Sequence, residues 1–426
     1  MKHSHSSGGR EAWNTLCLEL YHVIVRVGWI FKTETIIMPA VLDAVVDSGA
    51  LRGLLPVLNR GGQSLPPLFL AGAVARRPVK KWSLVAAALA KAGCFAALAC
   101  AWTPLRSQPG LLATVFLVLY AMFSSCNGIS QLVAAALQGK LIPAGRRGRS
   151  LMVNASVGGV LAILAAIVFL RPWLAEADGF TKIFAVTAAF FAVAALVPAF
   201  LDEPPDAAAA RPPGDGSSRG GWLAGVARAV ADWRQTLLAD RALVRLAVVA
   251  ACFSGVIMLF PHYQAFARDR LGTPLTSLLT WVVVQNLSTG IVSFVAGPMA
   301  DRRGTRVVLI WLVALSSLVP LLVTGLSLAP HALAADWFWI VYVVLGLNPI
   351  SLQIFTNYAL ELAPRPVDHA RYVSIVGAAL AAPFVFSPFV GWLVDAVGFR
   401  PVFVVGAAVI AAGAAVAVGL PEPRGR

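Results

Sequence analysis

The chain of 426 residues is 58% hydrophobic and only 13% charged, with a formal net charge of +14 and a mean hydropathy of +0.78. Soluble domains hold roughly 45–50% apolar and about 25% charged residues, so this chain lacks the charge to cover a water-facing surface, which excludes a soluble globular fold. The positive excess points to topology rather than nucleic acid, because Lys and Arg collect in the cytoplasmic loops of membrane proteins.

The opening stretch "MKHSHSSGGREAWNT" is polar and has no short apolar core before a small-residue cleavage site, so no cleaved signal peptide is expected. Its two histidines read as part of a solvated tail. Apolar runs long enough to span a bilayer, about 20 residues each, follow at 19–43, 50–74, 82–102, 110–138, 150–170 and 180–201. The first carries Arg26, Lys32 and Glu34, the second Arg60, and the third Lys91 near its centre. The second is the weakest, since Asn59, Arg60, Gln63, Pro56, Pro66 and Pro67 suit a helix packed inside a bundle better than one facing lipid. Asn127, Ser130 and Gln131 lie on the fourth span, and "SVGGV", Ser156–Val160, gives the fifth a close-packing or bending point. The five cysteines lie in or beside these runs without any C-x-x-C pair, and read as small packing residues.

Between the halves, "EPPDAAAARPPGDGSSRGG" has the composition of a flexible connector. After it, Trp222, Val226, Val230, Trp233 and Leu237 recur at helical spacing. Two readings stand for that segment, a helix lying on the membrane surface and a solvated linker helix. Six more spans are expected at 243–267, 274–299, 306–327, 333–360, 371–395 and 401–420. They carry His262, Tyr263 and Gln264, then Gln285 and Asn286, then Asn348, Ser351, Gln353 and Asn357. The organisation expected is 1–201, a six-helix bundle; 202–242, a cytoplasmic linker; and 243–426, a second six-helix bundle. With the N-terminus inside, thirteen Lys and Arg fall in short cytoplasmic loops and seven on the outward side. That bias places both termini and the linker in the cytoplasm, or at the cytoplasmic face of an inner membrane if the source is bacterial.

The halves repeat each other. "NGIS" at Asn127 returns as "NPIS" at Asn348, and Pro143 as Pro364, both 221 residues on. "GFTKIF" at Gly179 returns as "GFRPVF" at Gly398 after 219, and "GAVARRPVKK" at Gly72 as "GPMADRRGTR" at Gly297 after 225. Four matches in one order at nearly one offset indicate two parallel modules.

Gly297-x-x-Ala300-Asp301-Arg302-x-Gly304-x-Arg306 resembles the loop between the second and third helices of each half in the major facilitator superfamily (MFS). The twelve spans, the parallel repeat and the long linker extend the resemblance over essentially the whole chain. It implies an all-α membrane fold of twelve transmembrane helices, in two six-helix bundles related by a pseudo-twofold. It also implies that Asp301, Arg302 and Arg306 form a charge network that steadies one access state, with Gly297 allowing close helix approach and Gly304 the tight turn. The first-half copy departs from the pattern, with Arg76 in place of the Asp and Val79 in place of the Gly, so this half is held differently or its access balance is shifted. The basic loops Pro143–Arg149 and Pro364–Arg371 resemble the family's other cytoplasmic loops.

Charges at mid-membrane cost about 2.5–3.5 kcal/mol each on insertion scales and face a cavity or a partner. Glu34, the one carboxylate placed deep, is expected on the same helix side as Arg26 and within reach of Arg60 or Lys91. Protonation of Glu34 would then break a pair and couple proton movement to conformational change; a permanent structural pair is the other reading. One acid against several bases favours an anionic or zwitterionic solute. In the family the fourth and tenth helices line the cavity, so Asn127, Gln131, Asn348, Gln353 and Asn357, with Gln285 and Asn286, are the further binding candidates.

The function implied is secondary active transport of a small solute by alternating access, with the proton as candidate coupling ion; a membrane sensor or scaffold without net transport is the alternative. No nucleophile motif, phosphate loop or metal-ligand spacing occurs, so neither an enzyme nor a cofactor is expected. The expected partners are the solute and the lipid bilayer, not nucleic acid, for a protein acting as a monomer.

Overall fold

A computed structural model describes residues 4–142, 156–176, 178–206, 222–365 and 368–422. Among these there are helices and turns but no strands, as lipid demands of a backbone that must satisfy its own hydrogen bonds. Ten helical segments are long and apolar enough to cross a bilayer. The first two expected spans fall outside that set because of the polar residues they carry, and they complete the twelve-helix pattern.

The first expected span, 19–43, is not one helix. Helix α1 runs Ser4–Ile30 and α2 Ile37–Asp43, with a turn across 31–36. The Thr33 hydroxyl donates to the Ile30 carbonyl at 2.7 Å, the kind of local side-chain bond that competes with helix continuation. Helix α3, Gly49–Ala75, runs through Pro56, Pro66 and Pro67. Then come α4, Lys81–Trp102, and α5, Pro109–Leu141. Helix α6, Ser156–Trp173, contains a π-turn at Ala166–Leu170 just before Pro172, whose missing N–H cannot hold the regular ladder. The "PAGRRGR" loop before it lies outside the described residues. Helix α7, Gly179–Leu196, tightens into a 3₁₀ turn, Val197–Phe200.

Of the linker, 207–221 lies outside the described residues; the segment after it is helix α8, Trp222–Ala239. Asp240 then caps α9, Arg241–Leu271, by accepting from the backbone N–H of Ala242 and Leu243 and the Tyr372 hydroxyl. Helices α10, Ser277–Arg303, and α11, Thr305–Leu326, follow. The tenth expected span, 333–360, is three pieces: α12, His331–Trp337; α13, Trp339–Leu345; and α14, Asn348–Leu362. At the break before Asn348, Ser288 donates to the Val343 carbonyl at 2.5 Å and Thr289 to the Gly346 carbonyl at 2.8 Å, so hydroxyls of α10 supply the donors the broken ladder leaves out. The eleventh span is α15, His369–Ala381, a 3₁₀ turn, and α16, Ser387–Val397, interrupted where Pro383 and Pro388 remove donors. Helix α17, Phe399–Val418, closes the chain.

The chain forms two compact units, one of Met1–Thr33, Ala44–Asp47 and Val57–Ser217, the other of Glu34–Asp43, Ser48–Pro56 and Ser218–Arg426. In the first, Phe123 meets Phe95 edge-on at 4.9 Å and stacks on Phe191 at 5.6 Å, knitting α4, α5 and α7 together. The backbones of α3 and α5 touch: a Cβ on Gly128 would lie 2.4 Å from the Gln63 carbonyl oxygen. In the second unit, α2 and the start of α3 are fastened from several sides. Arg52, 2% exposed, holds Asp43 at 3.1 Å and Asp269 at 3.6 Å, while the Gly49 N–H donates to Asp395 at 2.8 Å. Large apolar side chains such as Val118, Val168, Phe294 and Trp311 point outward from both units, as a lipid-facing surface requires.

Candidate functional site

Three helices of the first unit enclose a cavity of about 200 Å³. Helix α1 contributes Tyr21, His22, Val25, Arg26 and Trp29; α4 contributes Lys91; α5 contributes Asn127, Ser130, Gln131 and Ala134. The spacings i, i+1, i+4, i+5, i+8 on α1 and i, i+3, i+4, i+7 on α5 each trace one helix face. Lys91 is 1% exposed. Its ammonium lies 3.5 Å from Asn127 Oδ1 and 5.3 Å from the centre of the Phe191 ring. Asn127 Nδ2 is buried with no hydrogen-bond partner among the described residues. No carboxylate lines the cavity among the described residues. Beside it, Lys32 is fully buried with its ammonium 3.1 Å from the centre of the Trp29 ring and 4.7 Å from that of Phe123, a cation–π stack that fixes the indole.

Several expected candidates sit elsewhere. Glu34 lies in the 31–36 turn, partly exposed, and belongs with the second unit. The expected helix-side relation to Arg26 does not hold, because α1 ends at Ile30. Arg60 is half-buried on α3. Gln131 is exposed at the cavity edge.

In the second unit, Asn348 is 7% exposed at the start of α14, and its Oδ1 has no partner among the described residues. Gln353 and Asn357, further along that helix, are exposed. Gln285 accepts from the Thr35 hydroxyl at 2.7 Å, and Asn286 donates to its own helix at the Val282 carbonyl. On α9, His262 and Gln264 are fully buried, and neither side chain has a hydrogen-bond partner among the described residues.

In the signature loop, Gly297, Asp301 and Arg302 are exposed. Gly304 adopts φ +89°, a conformation that favours glycine. Arg306 donates to the Val418 carbonyl at 2.6 Å, at the end of α17. The first unit repeats this contact: Lys81, which Arg306 matches in the repeat, donates to the Ala199 and Leu201 carbonyls at 3.1 and 2.7 Å. What the sequence reading missed is the acid beside it. Glu203 accepts from the backbone N–H of Lys80 and Lys81 at 2.8 and 2.7 Å and pairs with Lys140 at 2.9 Å. Asp206 pairs with Lys80 and with Lys140, and hydrogen bonds from those two ammonium groups hold its carboxyl below the usual range. The signal was present, since "LDEP" at Leu201 returns as "LPEP" at Leu420, 219 residues on. So the half whose loop lacks Asp gains carboxylates from the end of its sixth span.

The family model described as Major Facilitator Superfamily matches residues 63–364 and 266–426. No curated protein sequence matches the chain at a significant level. Among solved structures, a nucleoside transporter, NupG, is 12% identical with a TM-score of 0.68, covering 95% of this chain and 99% of its own. A D-xylose-proton symporter is 15% identical, with a TM-score of 0.70 over 96% of this chain and 99% of its own. A POT family transporter in complex with 5-aminolevulinic acid is 13% identical, with a TM-score of 0.72 over 96% of each.

Proposed function

The chain belongs to the Major Facilitator Superfamily, and on that premise we propose that its solute binds in the cavity around Lys91 and Asn127. It is an integral multi-pass membrane protein and a secondary active transporter that moves a small solute by alternating access. The observation that carries the site is the pairing of a buried ammonium with an unpartnered amide in a lined cavity, an arrangement that leaves bonds for a solute to make. Gln131 borders this site; in the second unit, Gln285, Asn286, Asn348, Gln353 and Asn357 are the proposed binding candidates. The topology proposed keeps both termini and the linker cytoplasmic, on the Lys and Arg bias, with Gly297, Asp301, Arg302, Gly304 and Arg306 steadying one access state.

Proton coupling is the mode proposed, with Glu34, Arg60 and Lys91 as its candidate residues. It is supported by the symporter among the structural neighbours and by the place of Glu34 at the break between α1 and α2. Counterflow in proteoliposomes with a panel of anions, sugars, amino acids and lipophilic cations tests the transport site. Glu34→Gln tests the coupling: proton-driven uptake falls while counterflow persists if the proposal holds, and undiminished coupling ends it. The alternative is a membrane sensor or scaffold without net transport, which binding without flux in the same proteoliposomes would favour.

A further inference from the structure

We propose that the solute is a small organic anion whose carboxylate is held between Lys91 and Asn127; this rests on reading the cavity of the first unit as the solute site. Lys91 is 1% and Asn127 2% exposed, so both are inside the protein rather than snorkelling to water. A buried ammonium without an opposite charge is unfavourable, and no carboxylate of its own unit among the described residues comes within ion-pairing distance of Lys91. Its hydrogen-bond contact among the described residues is long, 3.5 Å to Asn127 Oδ1, and the other end of that amide, Nδ2, donates to nothing among the described residues. Two donors, one charged and one neutral, therefore stand side by side on neighbouring helices. Two oxygens of one carboxylate would satisfy both.

The remaining wall says what is attached to the carboxylate. Arg26 and His22 add donors on α1, and no acidic side chain lines the cavity among the described residues, so a cation finds no counter-charge. Trp29, fixed by Lys32 stacked on its ring, together with Val25 and Ala134, offers apolar surface, which suits an organic acid better than an inorganic oxyanion. The volume of about 200 Å³ limits it to a small one.

The test is isothermal titration calorimetry on the full chain in lipid nanodiscs with benzoate, succinate, phosphate, glucose and choline, paired with counterflow of the same compounds in proteoliposomes. The expected result is binding of at least one carboxylate, a loss of tenfold or more in affinity in Lys91→Gln, and partial retention in Lys91→Arg. Asn127→Asp gives a second handle that does not depend on tolerance of Lys91→Gln. It places an internal carboxylate against Lys91, so it should also abolish carboxylate binding. Failure of both carboxylates to bind overturns the proposal, as does binding undiminished in Lys91→Gln or Asn127→Asp. Preference for phosphate, glucose or choline overturns it as well. If glucose or choline undergoes counterflow while carboxylates do not bind, transport stands and the anion assignment falls. If carboxylates bind through Lys91 without counterflow, the anion assignment stands and transport falls.

Discussion

The third span begins against a glutamate in both units, yet the two beginnings work by different physics. In the first, the Glu203 carboxylate is fully buried, takes the backbone N–H of Lys80 and Lys81, and neutralises Lys140. In the second, Glu422 stands at the matching place beside Gly304, but its Oε1 has no hydrogen-bond partner among the described residues. The residue that matches Lys140 there is Glu361, which accepts from the Thr305 hydroxyl at 2.8 Å. A helix start carries partial positive charge and unsatisfied donors. One unit answers that with a buried carboxylate and ion pairs; in the other the Thr305 hydroxyl is itself a donor to Glu361, and Gly304 makes the turn. The loop that lost its Asp and Gly to Arg76 and Val79 is the one with the charge cluster. The charge cluster and the glycine turn thus stand at matching places in the two units.

Glu203→Gln breaks the comparison most sharply. It leaves Lys140 without one of its carboxylates and weakens the acceptor for two backbone donors. Removing one partner of a buried pair costs about 3–5 kcal/mol, and the retained amide oxygen and the Asp206 contact place this change near the lower end. Glu422→Gln removes a carboxylate that already lacks part of its hydrogen bonding and should cost less than about 1 kcal/mol. Thermal unfolding of the two variants in one detergent gives the answer. Equal losses would mean that the two glutamates do the same work after all.

Gly304→Ala comes next. The glycine sits at φ +89°, where other residues cost about 1–3 kcal/mol, and a Cβ there would lie 2.6 Å from the Glu422 carboxylate. Gly304→Ala combined with Glu422→Ala should recover the steric part and keep the backbone part. At the matching first-half position, Val79→Gly should cost no more than about 1 kcal/mol, through unfolded-chain entropy alone. A Val79→Gly loss as large as that of Gly304→Ala would show that the first-half loop is under the same backbone constraint.

The parts of this arrangement that were legible in the sequence are those written locally or twice. Twelve apolar runs, the Asn127 and Asn348 copies and the Asp301-Arg302-x-Gly304 loop all lie within short windows. Lys91 stood out because a lone charge in an apolar run must find a cavity or a partner. The contact of Glu203 with Lys80 spans 123 residues, and no window shows it; only the faint "LDEP" and "LPEP" repeat marks the place. The break at 31–36 was hidden for another reason. Hydropathy averages over it, and the Thr33 bond to Ile30 that ends α1 is a side-chain choice that apolar length does not register. Arg52 is buried between Asp43 and Asp269, residues that only the fold brings to it.

Asp206 gives the smallest and most selective effect. The Lys80 and Lys140 ammonium groups favour its ionised form, so its folded carboxyl titrates below the unfolded value of about 3.9. Between those two values the unfolded chain binds a proton that the folded chain refuses. The contribution is therefore fully present above the unfolded value and is lost as pH falls through the lowered one. With the side chain 32% exposed, solvent screens much of the gain, so Asp206→Asn should leave unfolding near neutral pH almost unchanged and flatten only the acid limb. The second half has Gly425 at the matching position and no such group to lose. An acid limb as steep in Asp206→Asn as in the parent would show that this carboxylate does not carry the acid sensitivity.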